Sequence, residues 1–163
     1  MTAIAACGMC GIQLFEGARS CHGCGSPVAE SDTQAEAYLA REMARCGDRD
    51  EAIALMRVAA DQLFRERQPQ VWGIPATGVL VETLLDRGTQ SDVAEAEAAI
   101  DRLASAPVDD GLEIRDVWLL RLRALLARAR GEGVNYLEFV NRYRDMATSL
   151  GFEGHIAWAE AMP

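Results

Sequence analysis

The sequence predicts a mainly α-helical protein in which stacked helix hairpins follow a small cysteine-rich front module. Three observations predict it. Half of the 163 residues are hydrophobic and only 6% are aromatic, the apolar mass being chiefly Ala, Leu and Val; Ala and Leu lead the helix-propensity order. Glycines at positions 47, 88 and 131 stand 41 and 43 residues apart, each followed by an apolar stripe at helical spacing. Four of the five cysteines fall within residues 7 to 25, "CGMCGIQLFEGARSCHGCG", where nothing else is periodic. The length suits one ordinary domain preceded by a very small module.

The front module is read from its thiols. Cys7 and Cys10 form one Cys-x-x-Cys pair, Cys21 and Cys24 a second, and ten residues separate the pairs. Each such turn aims two thiolates at one focus, and two turns at the ends of a short loop close a tetrahedral four-sulfur site, for which zinc is the expected ion. Gly8, Gly11, Gly23 and Gly25 lie within or directly after the pairs, where tight turns need the backbone freedom of glycine. The spacer is shorter than usual, which points to a compact zinc ribbon. The alternative is two redox-active pairs or free thiols, but no βαβ pattern of the thioredoxin kind accompanies them. His22 lies between ligands, yet four Cys already complete the set. So short a module cannot bury enough apolar surface to fold alone, and coordination supplies roughly 10–16 kcal/mol at neutral pH. With sulfur in all four positions, no site is left for water or substrate, so the metal is expected to be structural.

Residues 25 to 34, "GSPVAESDTQ", read as a short linker. The expected boundaries are 1–28 for the ribbon, 29–33 for the linker and 34–163 for the helical domain. Within the last, helical segments are expected over about 32–46, 49–67, 74–87, 91–105, 113–130, 134–150 and 153–161. The stripes are Ala52, Leu55, Ala59 and Leu63 after Gly47; Val93, Ala96, Ile100 and Leu103 after Gly88; Tyr136, Phe139, Tyr143 and Met146 after Gly131. Each marks one face of a helix that follows a Gly-ended helix, so the unit is a helix hairpin repeated three times. A hairpin cannot bury its stripe alone, and stacking neighbours into an α-solenoid does so. Trp72, Trp118 and Trp158 each stand near the start of a first helix of a pair; packing between repeats is the expected role, with an aromatic ligand cage as the alternative. The last segment, "GFEGHIAWAEAMP", is expected to cover the open end of the stack, with His155 a surface or packing residue.

Charge and motifs exclude several functions. The formal net charge is -9 and every cation among the sixteen is Arg, which works against nucleic acid as the main partner. "GEGVNYLEF" lacks the Lys-Ser/Thr of a phosphate loop. Glu82 and Asp86 stand at i,i+4 spacing, as like charges on a solvated face do. Two histidines allow no Ser–His–Asp or Cys–His arrangement without invented contacts. Cys46, at a helix end, is expected to be a small buried hydrophobe. Arg121, Arg123, Arg128, Arg130, Arg142 and Arg144 form either a solvated face or a stripe that receives an acidic partner, the solvated face being preferred. No enzyme is expected. "MTAIAAC" has no positive n-region, no apolar run approaches roughly 20 residues, and clustered, odd-numbered cysteines suit a reducing cytoplasm.

Two resemblances follow from these residues. "CGMCGIQLFEGARSCHGCGSPV" resembles the zinc ribbon found at the front of many bacterial multidomain regulators, including nucleotide cyclases fused to ATPases. The region from "DEAIALMRVAADQLF" through "VWGIPATGVLVETLLDRG" and "IRDVWLLRLRALLARARG" to "ATSLGFEGHIAWAEAMP" resembles the C-terminal tetratricopeptide-like helical region of the same proteins. In that family the cyclase and ATPase domains lie between these two ends, whereas here residues 25 to 34 alone join them; neither activity is implied. The resemblance implies Cys7, Cys10, Cys21 and Cys24 as structural Zn2+ ligands, a tetratricopeptide-like α-solenoid of about three hairpins, and a regulatory or scaffolding role through a protein or peptide partner, with no membrane. A nucleic-acid-associated regulator using the ribbon is the second expectation, weakened because Arg19 is the one fixed cation between Cys7 and Cys24. A cyclase regulator acting in trans is the third.

Overall fold

The computed structural model describes residues 3–6, 13–15, 32–65, 73–107 and 113–162. The chain forms two compact units, Met1–Ala35 and Glu36–Pro163. In the first, β1 (Ala3–Ala6) and β2 (Gln13–Phe15) pair antiparallel, with Ala3 opposite Phe15, Ala5 opposite Leu14 and Ala6 opposite Gln13, and an irregularity between Ala3 and Ala5. Among the described residues the remainder is helical: α1 (Asp32–Cys46), α2 (Arg49–Arg65), α3 (Ile74–Arg87), α4 (Gln90–Ser105), α5 (Glu113–Ala129), α6 (Gly133–Leu150) and α7 (Glu153–Glu160). These spans nearly coincide with the segments expected from the sequence. None is long and apolar enough to cross a membrane.

The helix ends follow from local chemistry. Gly47, Gly88, Gly131 and Gly151 all have positive φ, a left-handed conformation that costs other residues about 1–2 kcal/mol. At Gly131 the closure is complete: its N–H donates to the Arg128 carbonyl, and the Glu132 N–H reaches back to Ala127 at 2.9 Å, which satisfies carbonyls that the helix end would otherwise strand. The start of α4 is fixed differently. Thr89 accepts from the Asp92 N–H through its hydroxyl at 3.2 Å while its own N–H donates to Asp92 Oδ2 at 3.1 Å, a reciprocal capping box. Arg87, at the end of α3, grips the same carboxylate with Nε at 2.9 Å and Nη2 at 2.6 Å.

From α2 onward each helix packs against the next. α3 packs against α2, α4 and α5; α5 packs against α4 and α6 as well; α7 lies on α6. The main core joins Ile53, Met56, Leu80, Val81, Leu84, Ile100, Leu103 and Leu122, and Tyr143 and Val117 anchor a second cluster with Ala159. The predicted stripes face these cores, Ala52, Ala59, Leu63, Ala96, Ile100, Leu103, Tyr136 and Tyr143 being buried and Leu55, Val93, Phe139 and Met146 half-buried. Ion pairs cross between helices about one repeat apart. Arg49 reaches Asp86 at 2.6 Å, Arg57 grips Glu95 at 2.6 and 2.5 Å, and Arg102 pairs with Asp61. Exposed pairs of this kind contribute about 0–1 kcal/mol each, so they steer register more than they stabilise.

Cys46 departs from expectation. It is an exposed free thiol, because α1 ends there and the chain turns away through Gly47.

Candidate functional site

The thiols proposed as metal ligands, Cys7, Cys10, Cys21 and Cys24, lie outside the described residues, as do His22, Val71 and Trp72. The chain order places Cys7 and Cys10 in the link between β1 and β2. Among the described residues no group of three or more His, Cys, Asp or Glu is arranged to hold a metal ion.

The helical unit carries an open groove of about 650 Å3. One wall comes from α1 and the start of α2, with Arg41, Arg45 and Arg49; α3 supplies Glu82 and Asp86; α5 supplies Arg121 and Arg128. Ala44, Val79, Leu85 and Leu125 give it an aliphatic lining. Residues of α1, α3 and α5, with Arg49 at the start of α2, therefore line one groove.

Arg121 organises the deep end of this groove. The expectation of a solvated face fails here: its side chain is only 15% exposed. The reason is α5 itself, which buries Val117, Trp118, Leu119, Leu120, Leu122, Ala124, Leu126 and Ala127 and so has little solvated face to offer. Arg128, Arg142 and Arg144 do lie exposed. The Arg121 guanidinium stands 4.8 Å from the Trp158 ring centre and 5.6 Å from that of Trp118, within reach of a cation–π attraction. Its Nη1 meets the Glu82 carboxylate as an ion pair, yet neither Nε nor Nη1 has an aligned hydrogen-bond partner. Burial first, and then the nearby Arg41 charge, lowers the Arg121 pKa.

Behind Arg121 lies an aromatic block. Trp118 meets His155 edge-on at 5.3 Å and Trp158 at 5.7 Å, and His155 meets Trp158 at 5.0 Å. The Tyr143 hydroxyl and His155 Nδ1 share a hydrogen bond of 2.8 Å. His155 is 8% exposed, and burial followed by the Arg121 charge lowers its pKa. Burial likewise pushes the Tyr143 phenol up to about 12. Trp118 of α5 and Trp158 of α7 thus meet edge-on, Trp118 buried and Trp158 38% exposed, and His155 is a packing residue. Glu82 and Asp86 are held apart in function, Glu82 by Arg121 and Asp86 by Arg49.

No protein-family model matches the chain, and neither the curated proteins nor the solved structures yielded a match.

Proposed function

We propose that the chain is a non-catalytic interaction module of the cytoplasm, a zinc ribbon of residues 1–28 followed by a tetratricopeptide-like α-solenoid of about three hairpins, with a regulatory or scaffolding role linked to cyclase–ATPase signalling. The observation that carries this reading is the groove: α1, α3 and α5 turn one face to a shared open channel, which is how stacked hairpins present a surface to a partner. The packing of α3 on α4 and of α5 on α6, with α3 and α4 both against α5, supports the solenoid. The ribbon is supported by its donor set, four thiols in two Cys-x-x-Cys pairs. Thiolates suit zinc by softness and geometry, and Cys7, Cys10, Cys21 and Cys24 would hold it as a staple.

Metal analysis of the purified full chain and a pull-down from its native cells test the two halves. The expected results are about one zinc per chain, as a four-thiolate site requires, and a protein partner retained at moderate salt. Absence of zinc from protein purified under reducing, chelator-free conditions sinks the ribbon. A wild-type chain that retains no protein sinks the interaction role. A salt-dependent mobility shift with DNA or RNA in place of a protein partner moves the reading to a nucleic-acid regulator.

A further inference from the structure

Five arginines, Arg41, Arg45, Arg49, Arg121 and Arg128, line one groove against two carboxylates, Glu82 and Asp86, in a chain whose formal net charge is -9. The local sign therefore opposes the global one. Asp86 is engaged by Arg49 at 2.6 Å, and Glu82 by Arg121. Arg45 pairs only with Glu42 on its own helix, both side chains being well exposed. Arg41 and Arg128, both exposed, make no ion pair among the described residues.

Arg121 adds a fixed cation to the groove wall. Its Nη1 meets the Glu82 carboxylate, and the Trp118 and Trp158 rings, 5.6 and 4.8 Å from the guanidinium, hold it in place, so its charge contributes to the local field without a side chain being ordered on binding.

We infer that this groove receives an acidic peptide segment of a partner protein, its carboxylates held by the exposed Arg41 and Arg128, with the charge of Arg121 adding to the attraction. The inference rests on the interaction-module reading and adds its site and its partner chemistry. A peptide fits better than a nucleic acid for three reasons. Glu82 and Asp86 interrupt the cations and would repel a continuous row of phosphates. The lining side chains Ala44, Val79, Leu85 and Leu125 suit aliphatic residues placed between acidic ones, and offer no aromatic platform for bases. The net charge of -9 repels a polyphosphate at long range, whereas a short peptide carries few charges past it.

The test uses the full chain and a fluorescein-labelled short peptide alternating Glu and Leu, read by fluorescence anisotropy, with the Gln-for-Glu peptide and a single-stranded DNA oligonucleotide as competitors. The Glu peptide is expected to bind and the Gln peptide not to. Raising salt to about 1 M, where the Debye length is about 3 Å, should release it. The double variant Arg41→Glu with Arg128→Glu changes exposed side chains, keeps the fold by circular dichroism, and should weaken binding about tenfold or more. Arg121→Gln should weaken it too, while Arg142→Glu with Arg144→Glu, on α6 and outside the groove, should not. Failure of the Glu peptide to bind, unchanged affinity after the groove reversal, or tighter binding of the oligonucleotide overturns the proposal. A cellular partner that stays bound to the groove-reversed chain overturns this site and leaves the interaction-module reading standing; a groove that binds the Glu peptide in a chain with no cellular partner does the reverse.

Discussion

Trp118 is seated against Gly78: a methyl group on Gly78 would stand 2.3 Å from Trp118 Cζ3 and 2.9 Å from two further ring atoms. In the interior of α3, glycine costs about 1 kcal/mol relative to alanine in helix propensity, so intrinsic preference alone makes Gly78→Ala stabilising. Packing reverses the sign. The indole is fixed by His155 and Trp158, and overpacking a well-filled core costs about 1–3 kcal/mol. Gly78→Ala should lower the unfolding midpoint in urea, and the same change in a Trp118→Leu background should be neutral or stabilising. A raised midpoint in the wild-type background would show that α3 and α5 do not meet at this point.

Asp92 is the second site where one side chain carries several bonds. It is 1% exposed, caps α4 through Thr89 and is gripped by Arg87. Asp92→Ala should cost about 1–2 kcal/mol, the upper range for loss of an N-terminal cap, measured by urea unfolding near neutrality. Arg87, foremost, and then Thr89 hold the carboxyl far below the usual range against the opposing effect of burial. The folded-state pKa is thus below the unfolded one, so this stability is complete above about pH 4, the ordinary carboxylate value, and is lost as pH falls from there through the folded value. Asp92→Asn should flatten that acid limb; equal acid sensitivity in both proteins would show that other carboxylates set it.

Most of the helical architecture is legible in the sequence because two signals agree at each boundary. A glycine that can turn left-handed ends a helix, and an apolar stripe begins the next; Gly88 with Val93, Ala96, Ile100 and Leu103 shows both, and those four residues are buried or half-buried. Gly78 is illegible for the opposite reason: in a one-dimensional pattern it reads as a weak helix position, and only the approach of Trp118 gives it a purpose. Arg121 was legible in principle. "VWLLRLRALLARA" is apolar on nearly every side, and a cation in such a helix has to face a neighbouring element rather than water. The groove itself required three helices distant in sequence to converge, which spacing along the chain does not encode. Cys46 shows that a helix end beside a turning glycine follows where the chain goes next more than its own hydrophobicity. The four front thiols carry their argument in donor type and spacing, and they lie outside the described residues.

Metal removal should separate the two units. Treating the reduced full chain with a strong zinc chelator is expected to make residues 1–31 rapidly cleavable by protease while the far-UV ellipticity of the helical unit stays largely unchanged, since the helical cores contain no proposed ligand and structural zinc stabilises the module that binds it. Cys10→Ser should reproduce the effect without chelator and lower zinc well below one ion per chain. Cys46→Ser, an exposed thiol beyond the two pairs, should leave zinc content as it is. A collapse of helical ellipticity on chelation would mean that the metal holds more than the front module.

His155 gives a pH response distinct from that of Asp92. Its ring is enclosed by Trp118, Trp158, Phe152 and Tyr143, and the nearby cation is Arg121. Burial and that charge both disfavour the imidazolium, so the folded-state pKa lies below the ordinary value of about 6.5. As pH falls past about 6.5 the unfolded chain takes up a proton that the folded chain refuses, and stability declines until the folded value is passed. The wild type should therefore lose stability as pH falls below about 6.5, the ordinary imidazole value, a decline that begins above the range in which Asp92 acts. His155→Gln, which keeps a polar partner for Tyr143, should flatten the decline, whereas His22→Gln, the other histidine of the chain, should leave it in place. The measurement is urea unfolding at closely spaced pH values. A flat wild-type profile across this window would place the His155 ring in contact with water, and the aromatic block that fixes Arg121 would then have to be open.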